Sequence, residues 1–487
     1  MQNSTIALSV ICIVLVISSF VAFYAGRRVK MDLEQWSVAG RGMGVVFVWM
    51  LMAGEIYTTF AFLGASGWAY SRGGPALYII AYLTLAYAVS FFILPQLWEF
   101  GKKHGIQTQS DFFQARYGSK YLAAAVALIG IIFIIPYLQL QLTGLGIIME
   151  AASYGGIGKA PAMFIAFGLV AAFVFSSGIR AIAWVSVIKD VLLLAAAVFL
   201  GLSLPYIYFG GVGEMFTALA NAKPAHLTLP GSTTTMGYAW YISTVILTSL
   251  GFYMWPHQVP SAMTAKSGDT LRRNACFMPI YSVTMPLILF VGFTALLVLP
   301  GLSNGDMALL TLVRQTYPAW FMGLIGAAGA LTAMLPAAAL LQTSAVLFAK
   351  NFYRPVFSPN MSDDQIVRMS KFVVIVLTVI TLYLALYSSV SLVALLLLGY
   401  SGVTQFFPGV VLGLYWKRIN LVSVATGIAI GEVLVAYLVL NKMDPFMGLN
   451  AGFVALSANF IATILCTLMT SEKSDNSEFA LQGDAAK

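Results

Sequence analysis

Long apolar runs with few charged positions follow one another along the whole chain, separated by short polar connections. A run of about 20 apolar residues has the length that an α-helix needs to cross a bilayer. The pattern therefore predicts an all-α polytopic membrane protein with about thirteen transmembrane helices, over residues 5–25, 44–70, 75–99, 120–150, 160–178, 181–209, 236–257, 275–300, 317–349, 371–388, 391–415, 420–440 and 449–470.

The composition narrows the function classes. Of the 487 residues, 60% are hydrophobic and only 9% are charged, far below the roughly 25% of a soluble domain. The three cysteines are widely separated, which indicates neither a disulfide framework nor a metal cluster. No phosphate-binding G-x-x-x-x-G-K-[ST] sequence is present, and the three histidines are too scattered for haem ligation. We expect a transporter, not an enzyme, with no cofactor, no nucleic-acid partner, and contacts with membrane lipid and a small solute.

The loop charges predict the orientation. With the N-terminus outside, twenty Lys and Arg residues fall on one side of the predicted spans and five on the other. Cytoplasmic loops collect Lys and Arg, which also accounts for the net charge of +8. We expect a plasma (inner) membrane protein with an outside N-terminus, one transporter domain over residues 1–470, and a cytoplasmic tail at 471–487. The chain is expected to act as a monomer or a weak oligomer.

One predicted span, 44–70, is unlike a plain membrane helix. Its middle reads Gly54, Glu55, Ile56, Tyr57, and two threonines follow at Thr58 and Thr59. A carboxylate near the bilayer centre costs about 2.5 kcal/mol or more, so Glu55 should face a bundle interior or a water-filled cavity. Gly54 favours a local break, which would free backbone carbonyls to bind an ion or a substrate. Packing of small residues against neighbouring helices is the alternative for Gly54 and the threonines.

Several stretches resemble the sodium/solute symporter family, which includes proline, sodium–galactose and sialic acid transporters. These are GRGMG at 40–44, QSDFFQARYG at 109–118, SGIRAIAWVSVIKD at 177–190 and WPHQVPSAMTAKS at 255–267. AGEIYTTFAFLG at 53–64 and ALTAMLPAAALL at 330–341 are most similar to the monocarboxylate permease branch. The resemblance implies a LeuT-type fold with a five-plus-five inverted repeat. Residues 44–209 and 236–415 would form the two repeats, and 5–25 and 420–470 the peripheral helices.

The sodium site that the resemblance implies is incomplete here. Such a site would take backbone carbonyls at Gly54 and Tyr57, together with oxygens at Thr332 and at two hydroxyl side chains that follow it. The matching positions are Leu335 and Pro336, whose side chains have no oxygen. Two of the usual ligands are therefore missing.

A lysine stands near the missing ligands. Where sodium-coupled relatives carry Trp-Thr-Asp, this chain has Trp184, Val185 and Ser186, and Lys189 follows three residues after Ser186, on the same helix face. A buried lysine can replace a bound cation and can exchange protons when water is excluded from it. The sequence thus favours H⁺ as the coupling ion, with Na⁺ as the alternative. Lys189 could instead only pair with Asp190 or extend to the cytoplasmic face.

The resemblance and the polar residues of spans two, four, seven and eleven suggest a substrate site near the midplane. We expect import of a small monocarboxylate such as pyruvate, lactate or acetate, so an anionic or zwitterionic substrate. A sodium-coupled symporter for an amino acid or a sugar acid is the alternative. For Glu55, roles as a proton carrier, as a hydrogen-bonding group and as the partner of a buried cation all stay open. Packing is the alternative for each predicted lining residue: Tyr57, Thr58, Thr59, Tyr137, Gln141, Thr248, Phe252, Tyr253, Trp255 and Gln405.

Overall fold

The structure is a computed structural model that describes residues 2–26, 38–176 and 179–470. The predicted tail at 471–487 lies outside these residues. The described part consists of helices and connecting loops, and it contains no β-strand. Its α-helices are α1 Gln2–Gly26, α2 Val45–Ile56, α3 Ala65–Ser71, α4 Tyr78–His104, α5 Gln109–Tyr117, α6 Lys120–Ala152, α7 Lys159–Ser176, α8 Ile179–Phe209, α9 Val212–Ala222, α10 Tyr238–Gly251, α11 Gln258–Met263, α12 Gly268–Ser282, α13 Thr284–Val298, α14 Ala308–Thr316, α15 Ala319–Val346, α16 Arg354–Phe357, α17 Asp363–Tyr387, α18 Leu392–Val403, α19 Phe407–Tyr415, α20 Leu421–Leu440 and α21 Ala451–Met469.

The prediction of an all-α polytopic protein is confirmed, but the count of about thirteen spans is not. Within the described residues, ten helices are long and apolar enough to cross a membrane, or eleven if the bent pair α2 and α3 is one span. The predicted span 236–257 falls short because its helix α10 has only 14 residues and ends at Gly251.

The break predicted near Gly54 is confirmed. Helix α2 ends at Ile56, and α3 continues at an angle of 60° after a π-helical turn at Phe60–Gly64. At the break Tyr57 leaves helical geometry, with φ −87° and ψ 79°. Irregular backbone at membrane depth is tolerated where protein or an internal cavity surrounds it. The break is buried, so protein surrounds its backbone: Tyr57, Thr58 and Thr59 are at most 1% exposed.

A second interruption lies between α10 and α11. Residues 252–257 form turns instead of a helix, with the Met254 amide donating to the Gly251 carbonyl at 2.9 Å. The two interruptions are neighbours, because the Ser261 hydroxyl on α11 lies 2.7 Å from both carboxylate oxygens of Glu55 on α2. Two discontinuous segments therefore meet inside the bundle.

The long helix α15 forms the centre of the molecule. It is buried along almost its whole length and packs against α1, α6 and α8. Helix α2 packs against α8, which places Gly54 beside Ser186. Helices α20 and α21 pack mainly on each other at the edge of the bundle.

Candidate functional site

Glu55 is the buried carboxylate at the centre of the site. Glu55 is 1% exposed, and the Ser261 hydroxyl donates a hydrogen bond to its carboxylate. One hydroxyl has a single hydrogen to donate, whereas an ionised carboxylate has about four acceptor positions. Glu55 therefore keeps capacity to accept from a ligand, or to carry a proton of its own.

A small aromatic cavity lies beside Glu55. Its polar lining is Glu55, His257 and Gln258, and no Lys or Arg is among the described residues that line it. The apolar members Ile56 and Leu396 complete a wall of six aromatic rings, from Phe60, Tyr82, Tyr137, Phe252, Trp255 and Tyr400.

The aromatic rings contact one another across three separate segments of the chain. The Tyr137 and Trp255 ring centroids are 4.8 Å apart, and those of Trp255 and Tyr400 are 5.2 Å apart. The Tyr137 hydroxyl donates to the backbone carbonyl of Glu55 at 3.4 Å, which fixes α6 against the first break. These rings give a small solute an apolar enclosure with one acidic group at its edge.

Three buried polar atoms of residues that line the aromatic cavity have no hydrogen-bond partner among the described residues. They are Nδ1 of His257, Oε1 of Gln258 and Nε1 of Trp255. The amide nitrogen of Gln258 lies 3.1 Å from Nε2 of His257. If that amide donates to Nε2, the neutral imidazole carries its hydrogen on Nδ1, which becomes a donor. Buried polar groups are normally paired, so these three atoms indicate a hydrogen-bonding ligand.

Three of the ten predicted substrate residues line the aromatic cavity. Tyr137, Phe252 and Trp255 contribute their rings to it. A role for them in substrate binding stays a prediction.

Four more predicted residues lie at the first break but do not line the aromatic cavity. The Tyr57 hydroxyl lies 2.9 Å from that of Tyr87 and 2.7 Å from that of Ser282. Thr59 donates to the amide oxygen of Gln141, and Thr58 accepts from a backbone amide at 3.2 Å. The sequence shows that these groups are polar, but it cannot show which neighbours form hydrogen bonds with them.

The remaining three predicted residues do not line the aromatic cavity either. The Thr248 hydroxyl donates to a carbonyl of its own helix at 2.6 Å, and Tyr253 packs against Phe252. The Gln405 amide donates to the Ser401 carbonyl at 3.0 Å, and its oxygen accepts from Asn459 on α21. Gln405 thus ties the end of α18 to a peripheral helix.

Lys189 on α8 reaches the first break. Its ammonium nitrogen lies 3.2 Å from the Gly54 carbonyl oxygen and 3.5 Å from that of Ala53. It also forms an ion pair with Asp190 at 3.0 Å, and Asp190 accepts from Tyr281 at 3.1 Å. The Lys189 side chain is fully buried, so it does not extend to the cytoplasmic face.

Gly54 makes this approach of α2 and α8 possible. A Cβ at position 54 would lie 2.4 Å from the Ser186 hydroxyl oxygen, so a larger residue would push the helices apart. On α15 the Thr332 hydroxyl donates to the Gly329 carbonyl at 2.6 Å, and Leu335 and Pro336 are buried. The roles of Gly54, Ser186, Lys189 and Thr332 in ion coupling remain predictions.

A small inner cavity lies on the other side of Glu55. Glu55 and His257 line both cavities and so form the partition between them. The inner cavity continues past Ser261 to two groups of polar residues, Gln342 and Thr343 on α15 and Gln107 and Thr108 before α5.

Sequence reasoning missed Tyr82, Tyr400, Gln258 and Ser261 as site residues. The two tyrosines lie in apolar runs, where a packing tyrosine has the same sequence signature. Gln258 and Ser261 lie within the motif at 255–267, so their position in that motif was the available signal.

The geometry defines a class of protein. Two discontinuous segments meet at a buried carboxylate between two cavities, as in membrane transporters that bind solute at helix breaks. Over the described ranges, no group of three or more His, Cys, Asp or Glu could hold a metal ion.

Comparison with known proteins identifies the family. Residues 36–431 match the sodium:solute symporter family, and the chain belongs to it. It is 44% identical to the uncharacterized symporter YhjB of Bacillus subtilis, over 95% of this chain and 97% of that protein. It is 28% identical to a monocarboxylate transport permease protein of Rhizobium johnstonii, over 96% and 97% of the two chains. The protein is therefore an integral membrane transporter and not an enzyme.

A solved structure shows the fold. A Na⁺-coupled sialic acid symporter in a substrate-bound outward-open state matches 96% of this chain and 98% of its own, with a TM-score of 0.79 and 19% identity. The expected LeuT-type fold is confirmed at the level of architecture. The division into two inverted repeats remains a prediction.

Proposed function

We propose that the protein is a secondary active transporter that imports a small monocarboxylate, such as pyruvate, lactate or acetate, with a proton. The contact between Lys189 and the first break carries this proposal. An ammonium lies against the carbonyls of Gly54 and Ala53 and beside a carboxylate, a set of oxygens that would suit a bound cation.

Lys189 provides a built-in cation whose charge depends on a proton. When it is charged, it compensates Asp190 and the two carbonyls; when it is neutral, its N–H groups can still donate, but the positive charge that compensates these oxygens is lost. Loss of the proton would therefore weaken the contact of α2 with α8. In an alternating-access cycle this links proton release to movement of the broken span.

The residues that line the aromatic cavity are suited to bind a small substrate. Because no Lys or Arg lies among its described lining residues, a carboxylate would need neutral donors. A protonated Glu55 and Nδ1 of His257 can both act as donors. The similarity to a monocarboxylate transport permease protein points to the same substrate class.

A sodium-coupled symporter for an amino acid or a sugar acid is the second candidate. The family description and the sialic acid symporter point to sodium. An ionised Glu55 and Oε1 of Gln258 would accept from an ammonium group, and the rings would add cation–π attraction. An amino acid would suit this acceptor-rich state.

We further propose that the protein lies in the plasma membrane with an outside N-terminus, and that it works as a monomer or a weak oligomer. The twenty-to-five distribution of Lys and Arg supports the orientation.

Uptake by purified protein in liposomes tests the proposal. Labelled pyruvate, lactate, acetate and alanine would be offered with an inward proton gradient or an inward sodium gradient, each imposed alone. We expect accumulation of a monocarboxylate under the proton gradient, and its loss in Lys189→Ala. The control is Lys159→Ala, because Lys159 also contacts a backbone carbonyl, at 3.5 Å from Ser388, but is exposed. Accumulation that requires sodium, or that persists in Lys189→Ala, would contradict proton coupling through this lysine.

A further inference from the structure

A set of polar side chains closes the far end of the inner cavity. We name it the polar latch: Gln107, Thr108 and Asp111, at the start of α5, with Lys350 and Asn351, in the π-helical turn Leu347–Tyr353 that continues α15. The two halves are more than 230 residues apart in the chain, so their contact is purely tertiary.

Asp111 is the centre of the polar latch. Its carboxylate accepts from the Lys350 ammonium at 2.8 Å and from the Asn351 amide at 2.7 Å. It also accepts from the backbone amides of Gln107 and Thr108, at 2.9 and 3.0 Å, which caps α5. Thr108 donates to Asn351 at 2.9 Å, and Lys350 donates to Gln107 at 3.0 Å.

Neighbouring donors stabilise the negative charge on Asp111. Burial alone would raise the pKa of this carboxyl group. The Lys350 ammonium and the hydrogen bonds from Lys350, Asn351 and Gln107 outweigh that effect and hold the pKa below its ordinary value. The latch is therefore an ion pair at neutral pH, and charge-assisted hydrogen bonds of this kind are stronger than neutral ones.

The polar latch separates two spaces. Gln107 and Thr108 line the inner cavity. Asp111, Lys350 and Asn351 line an open recess on the opposite side of the same contact. Thr108 and Asn351 are 1% and 3% exposed, so the contact between them is closed to solvent. A solute that leaves the inner cavity in this direction must pass through the latch.

The two ends of helix α5 are held by different contacts: at its start, beside the latch, Gln109 donates to the Met254 carbonyl at 2.7 Å. Its other end is fixed to α19, where Arg116 donates to the Gly413 carbonyl at 2.7 Å and Tyr117 donates to the Gly409 carbonyl. Gly105 before α5 and Gly118 after it both have a φ of 66°, and neither has an atom near the place of a Cβ. The ion pair and Gln109 thus hold the first turn of a short helix that has a glycine on each side, with no neighbouring atom packed against either glycine.

We propose that the polar latch is the inner gate of the transporter, and that the end of α5 must separate from the π-helical turn after α15 before solute leaves to the cytoplasm. The gate lies on the face that we propose to be cytoplasmic, and it rests on the proposed alternating-access transport. Breaking the latch is expected to expose the inner cavity to that face.

A reporter cysteine in the inner cavity tests the gate. Ala339 lines this cavity and is 6% exposed. In a protein with Cys12, Cys276 and Cys466 changed to Ser, Ala339→Cys would be labelled by a charged thiol reagent in inside-out vesicles. Lys350→Met removes the ion pair and leaves the cap of α5 intact. We expect labelling to accelerate about fivefold or more, because the closed state loses a charge-assisted contact.

A matched ion pair elsewhere gives the control. Arg273 and Asp269 are 2.8 Å apart on α12 but are exposed, so Arg273→Met should leave the labelling rate unchanged. Asn351→Ala provides a second latch variant without a change of charge, and it should accelerate labelling in the same direction. Size-exclusion chromatography would confirm that each variant is folded.

The outcomes separate the gate from the proposed function. Unchanged labelling in folded Lys350→Met and Asn351→Ala would overturn the gate, whatever solute is carried. Faster labelling in a protein that takes up no monocarboxylate would support the gate and reject the proposed substrate, since labelling needs no substrate.

Discussion

Glu55 illustrates why a single residue can define this site. Its carboxylate is buried at the partition of the aromatic and inner cavities, with the Ser261 hydroxyl as its recorded side-chain donor. An unpaired charge in such surroundings is costly, whereas a protonated carboxyl can also donate to a bound solute. A gain or loss of one proton at Glu55 would therefore change what both cavities can bind.

We predict that Glu55→Gln reduces proton-driven uptake at least about tenfold, because the amide keeps the shape of the side chain but cannot exchange a proton. Initial uptake rates in liposomes would measure this effect. Glu432→Gln is the control: Glu432 is another carboxylate within a membrane helix, the peripheral helix α20, and it lines neither cavity. Normal proton-driven uptake in Glu55→Gln would show that Glu55 only positions its neighbours.

At the scale of the element, the first break was predictable and its side-chain partners were not. A glycine beside a carboxylate in an apolar run indicates a break, and the structure confirms it. Tyr57 and Thr59 lie at that break, yet Tyr57 bonds Ser282 and Thr59 bonds Gln141. Those partners come from remote helices, so the sequence of the broken span alone cannot reveal them.

The interface of α2 and α8 depends on a residue without a side chain. We predict that Gly54→Ala lowers both the thermal stability and the transport rate, because its Cβ would overlap Ser186 and displace the break from Lys189. Overpacking of this kind costs roughly 1–3 kcal/mol. Gly168→Ala on α7 is the control, since a Cβ there meets no atom within 4 Å. Thermal unfolding and uptake would be measured for both variants, and equal behaviour would show that the interface yields without cost.

At the scale of the whole molecule, the fold class follows from hydropathy, while the number of crossings does not. The run at 236–257 is apolar, but helix α10 has only 14 residues and does not reach the length that marks the ten long spans within the described residues. A short helix next to turns can cross together with its neighbours or end inside the bundle, and composition is the same in both cases. The side of the membrane on which each loop lies then decides how many times the chain crosses.

Two loop lysines test the topology directly. We predict that Lys223 lies outside and Lys417 inside, because five predicted spans separate them and an odd number of crossings changes the side. Each position would be changed to Cys in the protein without native cysteines, and intact cells would be treated with a maleimide that cannot cross the membrane. Lys223→Cys should be labelled at once, and Lys417→Cys only after the membrane is opened. Labelling of both in intact cells would mean an even number of crossings between α9 and α20, and the reverse pattern would place the polar latch on the outer face.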